Sequence, residues 1–230
     1  MKLESTVARI LIALLLFSVP MVPGARADEP AVRISTSGPI GMGGGPVIFG
    51  WQFSPQFPIR VTSIGLFDTF NGSGIFQFGD GFHQSHRISL WDLSQPSTPL
   101  VSIVMGSGLA GTLDSGFRFI PIPELSLDQG RSYVIGAAYT STDPALMDWV
   151  TGNNFQEGPS ISIANGIDFM GYRWGSLEDG SSIRMPENLL PGDVAAFGPN
   201  FKFVPEPSTW ALVILGTALF AAAGMRQRRP

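Results

Sequence analysis

The sequence predicts an all-β protein: an antiparallel, jelly-roll-like β-sandwich flanked by an N-terminal signal peptide and a single C-terminal transmembrane helix. Three observations lead there. Short runs of alternating apolar and polar residues recur along the body, the period of strands with one buried face. Clusters of Gly, Pro, Asn and Asp separate these runs, and no window of the body carries a long 3.6-residue apolar period. Continuous apolar stretches occur only at the two ends of the chain. Strands without helices to cover them point to antiparallel sheets packed on each other.

Taken in order, Val47, Phe49, Trp51 and Phe53 alternate with Ile48, Gly50, Gln52 and Ser54 and form the first clear strand. Further strands are predicted over 59–67, 86–91, 100–105, 117–122, 132–139, 161–164, 169–174 and 194–204. The turns between them fall at 38–46, 71–74, 79–81 and 179–182, where Gly, Asn and Asp tolerate the backbone angles that tight turns need. Trp51, Phe53, Ile64, Leu66, Leu90, Phe119, Tyr133 and Ile135 are the expected inward-facing residues. No internal repeat is present.

The two ends differ from this body. Lys2 and Arg9 precede an apolar core over 10–22, and Ala25-Arg26-Ala27 places small residues where a signal peptidase reads them. Residues 1–27 are therefore expected to be removed, leaving Asp28 as the new N-terminus. At the other end, Val204-Pro205-Glu206-Pro207-Ser208 precedes an apolar run from Trp210 to Met225 and then Arg226, Arg228 and Arg229. A helix over 210–225 reaches about 24 Å at the standard rise, just short of a hydrocarbon core of roughly 30 Å. The three arginines form a cytoplasmic basic stop that leaves everything upstream outside. The organisation is thus 1–27 signal peptide, 28–203 β-sandwich and 204–230 sorting tail.

This C-terminal arrangement resembles the PEP-CTERM sorting signal of Gram-negative bacteria, with Val204, Pro205, Glu206, Pro207 and Ser208 matching its core. The resemblance implies a tag recognised and processed by an exosortase, a membrane-embedded cysteine protease. It also implies transit through the inner membrane by way of the C-terminal helix, then a place at the cell surface or in the extracellular matrix beside exopolysaccharide. Part of the body carries a second resemblance. Gly50-Trp51-Gln52-Phe53, Val61 through Asp68, Ser85 through Asp92, Pro99-Leu100 and Leu125 through Val134 are similar, in order, to a β-sandwich domain of unknown function found in bacterial surface proteins. The similarity spans about 47–140, departs from the pattern at 76–83, and brings no activity with it. Residues 141–203 lie outside it and are read as additional strands.

Composition narrows the partners. Segment 28–204 holds 8 Lys and Arg against 16 Asp and Glu, hence −8, where the whole chain is −4. Such a surface argues against nucleic acid and anionic lipid headgroups. With no cysteine in the chain, disulfides, thiolate catalysis and zinc–thiolate sites are excluded together. An exported domain without disulfides rests on its core, which the 15 of 17 Phe and 4 of 5 Trp that lie within 28–203 can fill.

Catalytic chemistry finds little support. His83 and His86 are the only histidines, and their H-x-x-H spacing leads into a strand, which puts them on opposite faces. His86 reads as a turn residue hydrogen-bonded into the sheet. Gly72-Ser73-Gly74 and Gly106-Ser107-Gly108 lack the strand-to-helix turn of a nucleophile elbow. Acidic turns at Asp68, Asp80 and Asp179 lack the D-x-D-x-D-G loop that gathers oxygens round calcium. The expectation is a non-enzyme with no cofactor and no resident metal. The alternatives are a carbohydrate-binding module and, less favoured, a secreted hydrolase. For the module, Trp149, Phe155, Tyr172 and Trp174 are the candidate stacking residues, beside Asp148, Asn153 and Asn154. The competing reading of Tyr172 and Trp174, two apart on one face, is core.

Overall fold

The computed structural model describes residues 28–34, 46–68, 79, 81–82, 84–140, 151–152, 161–177, 183–190 and 195–206. Every regular element among them is a β-strand, and every ladder is antiparallel. One sheet has five strands in the order β1 (Glu29–Pro30), β15 (Pro199–Pro205), β4 (Ile59–Phe67), β8 (Phe117–Leu127) and β7 (Thr112–Asp114). A second has six: β13 (Asn188–Leu190), β12 (Ile167–Ser176), β3 (Val47–Pro55), β9 (Tyr133–Tyr139), β5 (His86–Asp92) and β6 (Val101–Met105). Two small ladders pair β2 (Val32–Ile34) with β11 (Ile161–Ile163) and β10 (Thr151–Gly152) with β14 (Ala195–Ala196). Ala27–Pro205 is one compact unit.

The inner faces of the two sheets meet through aromatic rings. Trp51 of β3 stacks on Phe201 of β15 with centroids 5.7 Å apart and an interplanar angle of 13°. Phe53 lies 4.7 Å from the same Phe201. All eight residues expected to point inward are at most 2% exposed. The Trp51 indole N–H donates to Pro199 O at 2.8 Å, so the ring is buried with its one polar group satisfied. At the middle of the second sheet Gly50 lies opposite Gly136. A Cβ on Gly50 would sit 1.9 Å from Ile135 O, so only glycine fits that close strand approach.

The structure extends the sequence reading in several places. The expected 117–122 strand continues to Leu127 despite Pro121 and Pro123. β7 covers β8 only opposite residues 117–119, so beyond them β8 has a free side where prolines are tolerated. The expected 194–204 strand is two strands, interrupted at the buried Phe197 and at Gly198, whose carbonyl accepts from Phe67 N at 2.8 Å. The N-terminal segment, given no strand in sequence, supplies β1 and β2. Ala31 and Val32 are fully buried there, and Asn200, itself fully buried, clamps Val32 by donating Nδ2 to its carbonyl at 2.8 Å and accepting its amide at 3.1 Å. A two-residue strand joined to a three-residue strand is too short for periodicity to reveal.

Candidate functional site

The segment that carries the sorting motif begins inside the fold. β15 pairs with β4 through Val204 opposite Arg60 and Pro205 opposite Ile59, and both Val204 and Pro205 are half-buried. On its other side β15 pairs with β1, Glu29 opposite Phe203 and Pro30 opposite Lys202. The first and last residues of the compact unit therefore leave it from neighbouring strands. Asp28, the expected mature N-terminus, accepts a hydrogen bond from the Thr62 hydroxyl on β4. Pro207, Ser208, the 210–225 helix, Arg226, Arg228 and Arg229 lie outside the described residues, as does the signal peptide.

The four candidate stacking aromatics do not come together in the described residues. Trp149 and Phe155 lie outside them. Tyr172 and Trp174 share the β12 face that pairs with Trp51 and Phe49, but their surroundings differ. Tyr172 is 6% exposed, lies 5.7 Å from the Phe49 ring, and has its hydroxyl pKa raised by burial. It is a core residue. Trp174 is 39% exposed near the end of the strand, opposite Asn188, and is the one of the pair whose ring reaches solvent.

Between them, on the opposite face, lies a residue that sequence reasoning passed over. Arg173 is 8% exposed and donates Nε to Gln52 Oε1 at 3.0 Å and Nη1 to Pro186 O and Glu187 O at 3.1 and 3.2 Å. Burial pulls its pKa below the ordinary arginine value. Its partners are neutral oxygens, and they tie the 183–187 segment across the outer face of the sheet. Nothing in Gly171-Tyr172-Arg173-Trp174 distinguishes it from an exposed strand residue; only the covering segment does.

Asp68, read in sequence as an acidic turn, is also buried by distant neighbours. Its carboxylate is fully buried, pairs with Arg118 Nε and accepts the Gly81 amide at 3.0 Å. Arg118 also donates to Gly79 O at 2.9 Å and to Leu109 O and Gly111 O at 3.3 and 3.4 Å. One buried charge pair thus anchors Gly79 and Gly81 as well as the 109–111 turn, and its oxygens are committed to protein partners. Asp80 and Asp179 lie outside the described residues. Among the described residues no group of three or more His, Asp or Glu side chains could hold a metal ion. His86 is buried at the start of β5, with Nδ1 3.2 Å from Ala138 O and its ring 5.2 Å from Tyr139, so it is a packed core histidine; His83 lies outside the described residues.

Two further carboxylates carry small networks of their own. Burial pushes the Asp92 carboxyl up, but the Ser94 hydroxyl and amide at 2.7 and 2.8 Å, with Arg131 at 2.6 Å, outweigh it and hold the pKa below the ordinary value. At Asp114 burial is likewise outweighed by Lys202 at 2.8 Å, Ser115 and Arg33, a contact that joins the β7 turn to β15.

Together these define an all-β domain of two antiparallel sheets whose last strand runs directly into a C-terminal tail. That tail has a defined kind. Residues 203–229 match the family model of the PEP-CTERM protein-sorting motif, so the chain carries that motif at its C-terminal end. No curated protein matches the chain.

Proposed function

We propose that this protein is an exported, non-catalytic component of the cell surface or extracellular matrix, delivered by its PEP-CTERM tag and associated with exopolysaccharide. The observation that carries this reading is the placement of the motif: it begins within the last described strand of one compact all-β unit. The two sheets read as a jelly-roll-like sandwich, flanked by a cleaved signal peptide and a transmembrane helix over 210–225. Signal peptidase acts at the first end and exosortase at the second, with the inner membrane holding the chain in transit. An acidic domain whose buried Asp68 and Asp92 are engaged by Arg118 and Arg131 fits a structural or adhesive role better than glycoside hydrolysis, which needs two carboxylates free in a cleft.

A carbohydrate-binding module is the second reading, favoured by the one aromatic exposed among the described residues, Trp174, near the end of β12. Incubating the processed protein with the host's exopolysaccharide separates the two. Retention lost in a Trp174→Ala variant supports the module, whereas retention without dependence on Trp174 supports a matrix role. Turnover of glycan or peptide substrates in a broad hydrolase screen would overturn the non-catalytic reading.

A further inference from the structure

Four features mark the end of β15. The ladder to β4 is interrupted between Lys202 and Phe203, where Thr62 is an extra residue whose hydroxyl reaches Lys202 O at 3.4 Å. β1 stops opposite Phe203, so past that point β15 has a paired neighbour only on its β4 side. The final position is Pro205, which has no N–H to contribute. Phe201 and Phe203 are fully buried, whereas Val204 and Pro205 are only half-buried. Two one-sided pairs after a bulge end the ladder, and they coincide with the first two residues of the motif core.

We propose that these two pairs, Val204 with Arg60 and Pro205 with Ile59, are a latch on the sorting motif. While they hold, Val204 and Pro205 belong to the sheet, and the processing enzyme cannot take the motif as a continuous extended chain. Enzymes that read a peptide bind it extended through its own backbone groups, which are engaged on one side here. Only residues 206–209 separate the end of β15 from the apolar run, about 13 Å when fully extended. Opening the latch adds two residues to that reach and leaves Phe201, Phe203 and the β1 contact in place. Local opening at the strand end, rather than unfolding of the domain, then sets the rate of processing.

The inference rests on the exosortase reading, and its test keeps the two apart. The chain has no cysteine, so Arg60→Cys with Val204→Cys introduces a single thiol pair. Directly opposed antiparallel positions lie within disulfide reach. Purified full-length protein in detergent is incubated with membranes containing an exosortase. The oxidised variant should be processed at least tenfold more slowly than the parent, and reductant should restore the parental rate. Processing of the oxidised form at the parental rate overturns the latch. A parental chain that is not processed at all sinks the exosortase reading instead. In that case, or if the variant fails to accumulate, hydrogen exchange on the parental full-length chain decides: the Val204 amide should exchange at least tenfold faster than those of residues 200–203, and equal protection overturns the proposal.

Discussion

Trp51 illustrates how much a single position carries in a domain without disulfides. Its ring touches Phe53, Phe197 and Phe201, spans the space between the sheets and donates a hydrogen bond to Pro199 O. Trp51→Ala should cost roughly 3–5 kcal/mol in denaturant unfolding, as large aromatic truncations do. Trp51→Phe keeps most of the packing and should cost only about 1–2 kcal/mol, since it strands the Pro199 carbonyl. Arg118 is the polar counterpart. Arg118→Met leaves Asp68 charged and buried, with an expected loss of roughly 3–5 kcal/mol. Adding Asp68→Asn should recover part of that loss; a double variant no better than the single one would show that the turn carbonyls, not the charge pair, dominate.

At the scale of elements, the carboxylates that join turns to strands set the acid response. The Asp92 and Asp114 pKa values are depressed in the fold from an ordinary 3.8, so their contribution is fully present above that value. It is lost as pH falls through the depressed values. The denaturant midpoint should therefore stay level from about pH 5 to 8 and drop below about pH 4. Asp92→Asn should flatten that drop, and an unchanged acid slope would contradict the assignment. Asp114 is partly exposed, so solvent screening holds its share under about 1 kcal/mol. The N-terminal strands make a separate prediction. Asn200→Ala removes both contacts to Val32 and should cost roughly 2–4 kcal/mol, leaving two buried backbone groups unpaired. Its mark should be faster proteolysis of residues 28–34 while the rest of the domain stays resistant.

At the scale of the whole molecule, the two ends can be tested together. Because both expected tags join the domain at neighbouring strands, cleavage after Ala27 leaves β1 intact, and loss of the tail beyond Pro205 leaves β15 intact. Intact mass of the protein released from an exosortase-bearing host should show Asp28 at the start and a C-terminus at or beyond Pro205. Recovery with residues 209–230 attached would leave a plain membrane anchor. Replacing Arg226, Arg228 and Arg229 by glutamate should disturb orientation of the tail, as read by protease access. Unchanged orientation would remove the positive-inside argument.

The sequence by itself determined that the body is β, that its strands pair antiparallel, that Trp51, Phe53, Phe119 and Tyr133 point into the core and that a sorting motif follows the body. Each of these is written locally, in a two-residue period, in turn chemistry or in a contiguous motif, so no partner is needed to read it. Only the tertiary structure decided what depends on distant neighbours. Tyr172 and Trp174 are equivalent by alternation, yet one packs against Phe49 and the other reaches solvent, because the strand nears its end between them. Asp68 looks like a solvated turn until Arg118, fifty positions later, buries it. Arg173 is buried by a segment that crosses the face opposite the core. The start of the sorting motif is held in a sheet because β4, far away in sequence, accepts it. Burial and pairing are properties of what packs against a residue, and that information lies outside any local window.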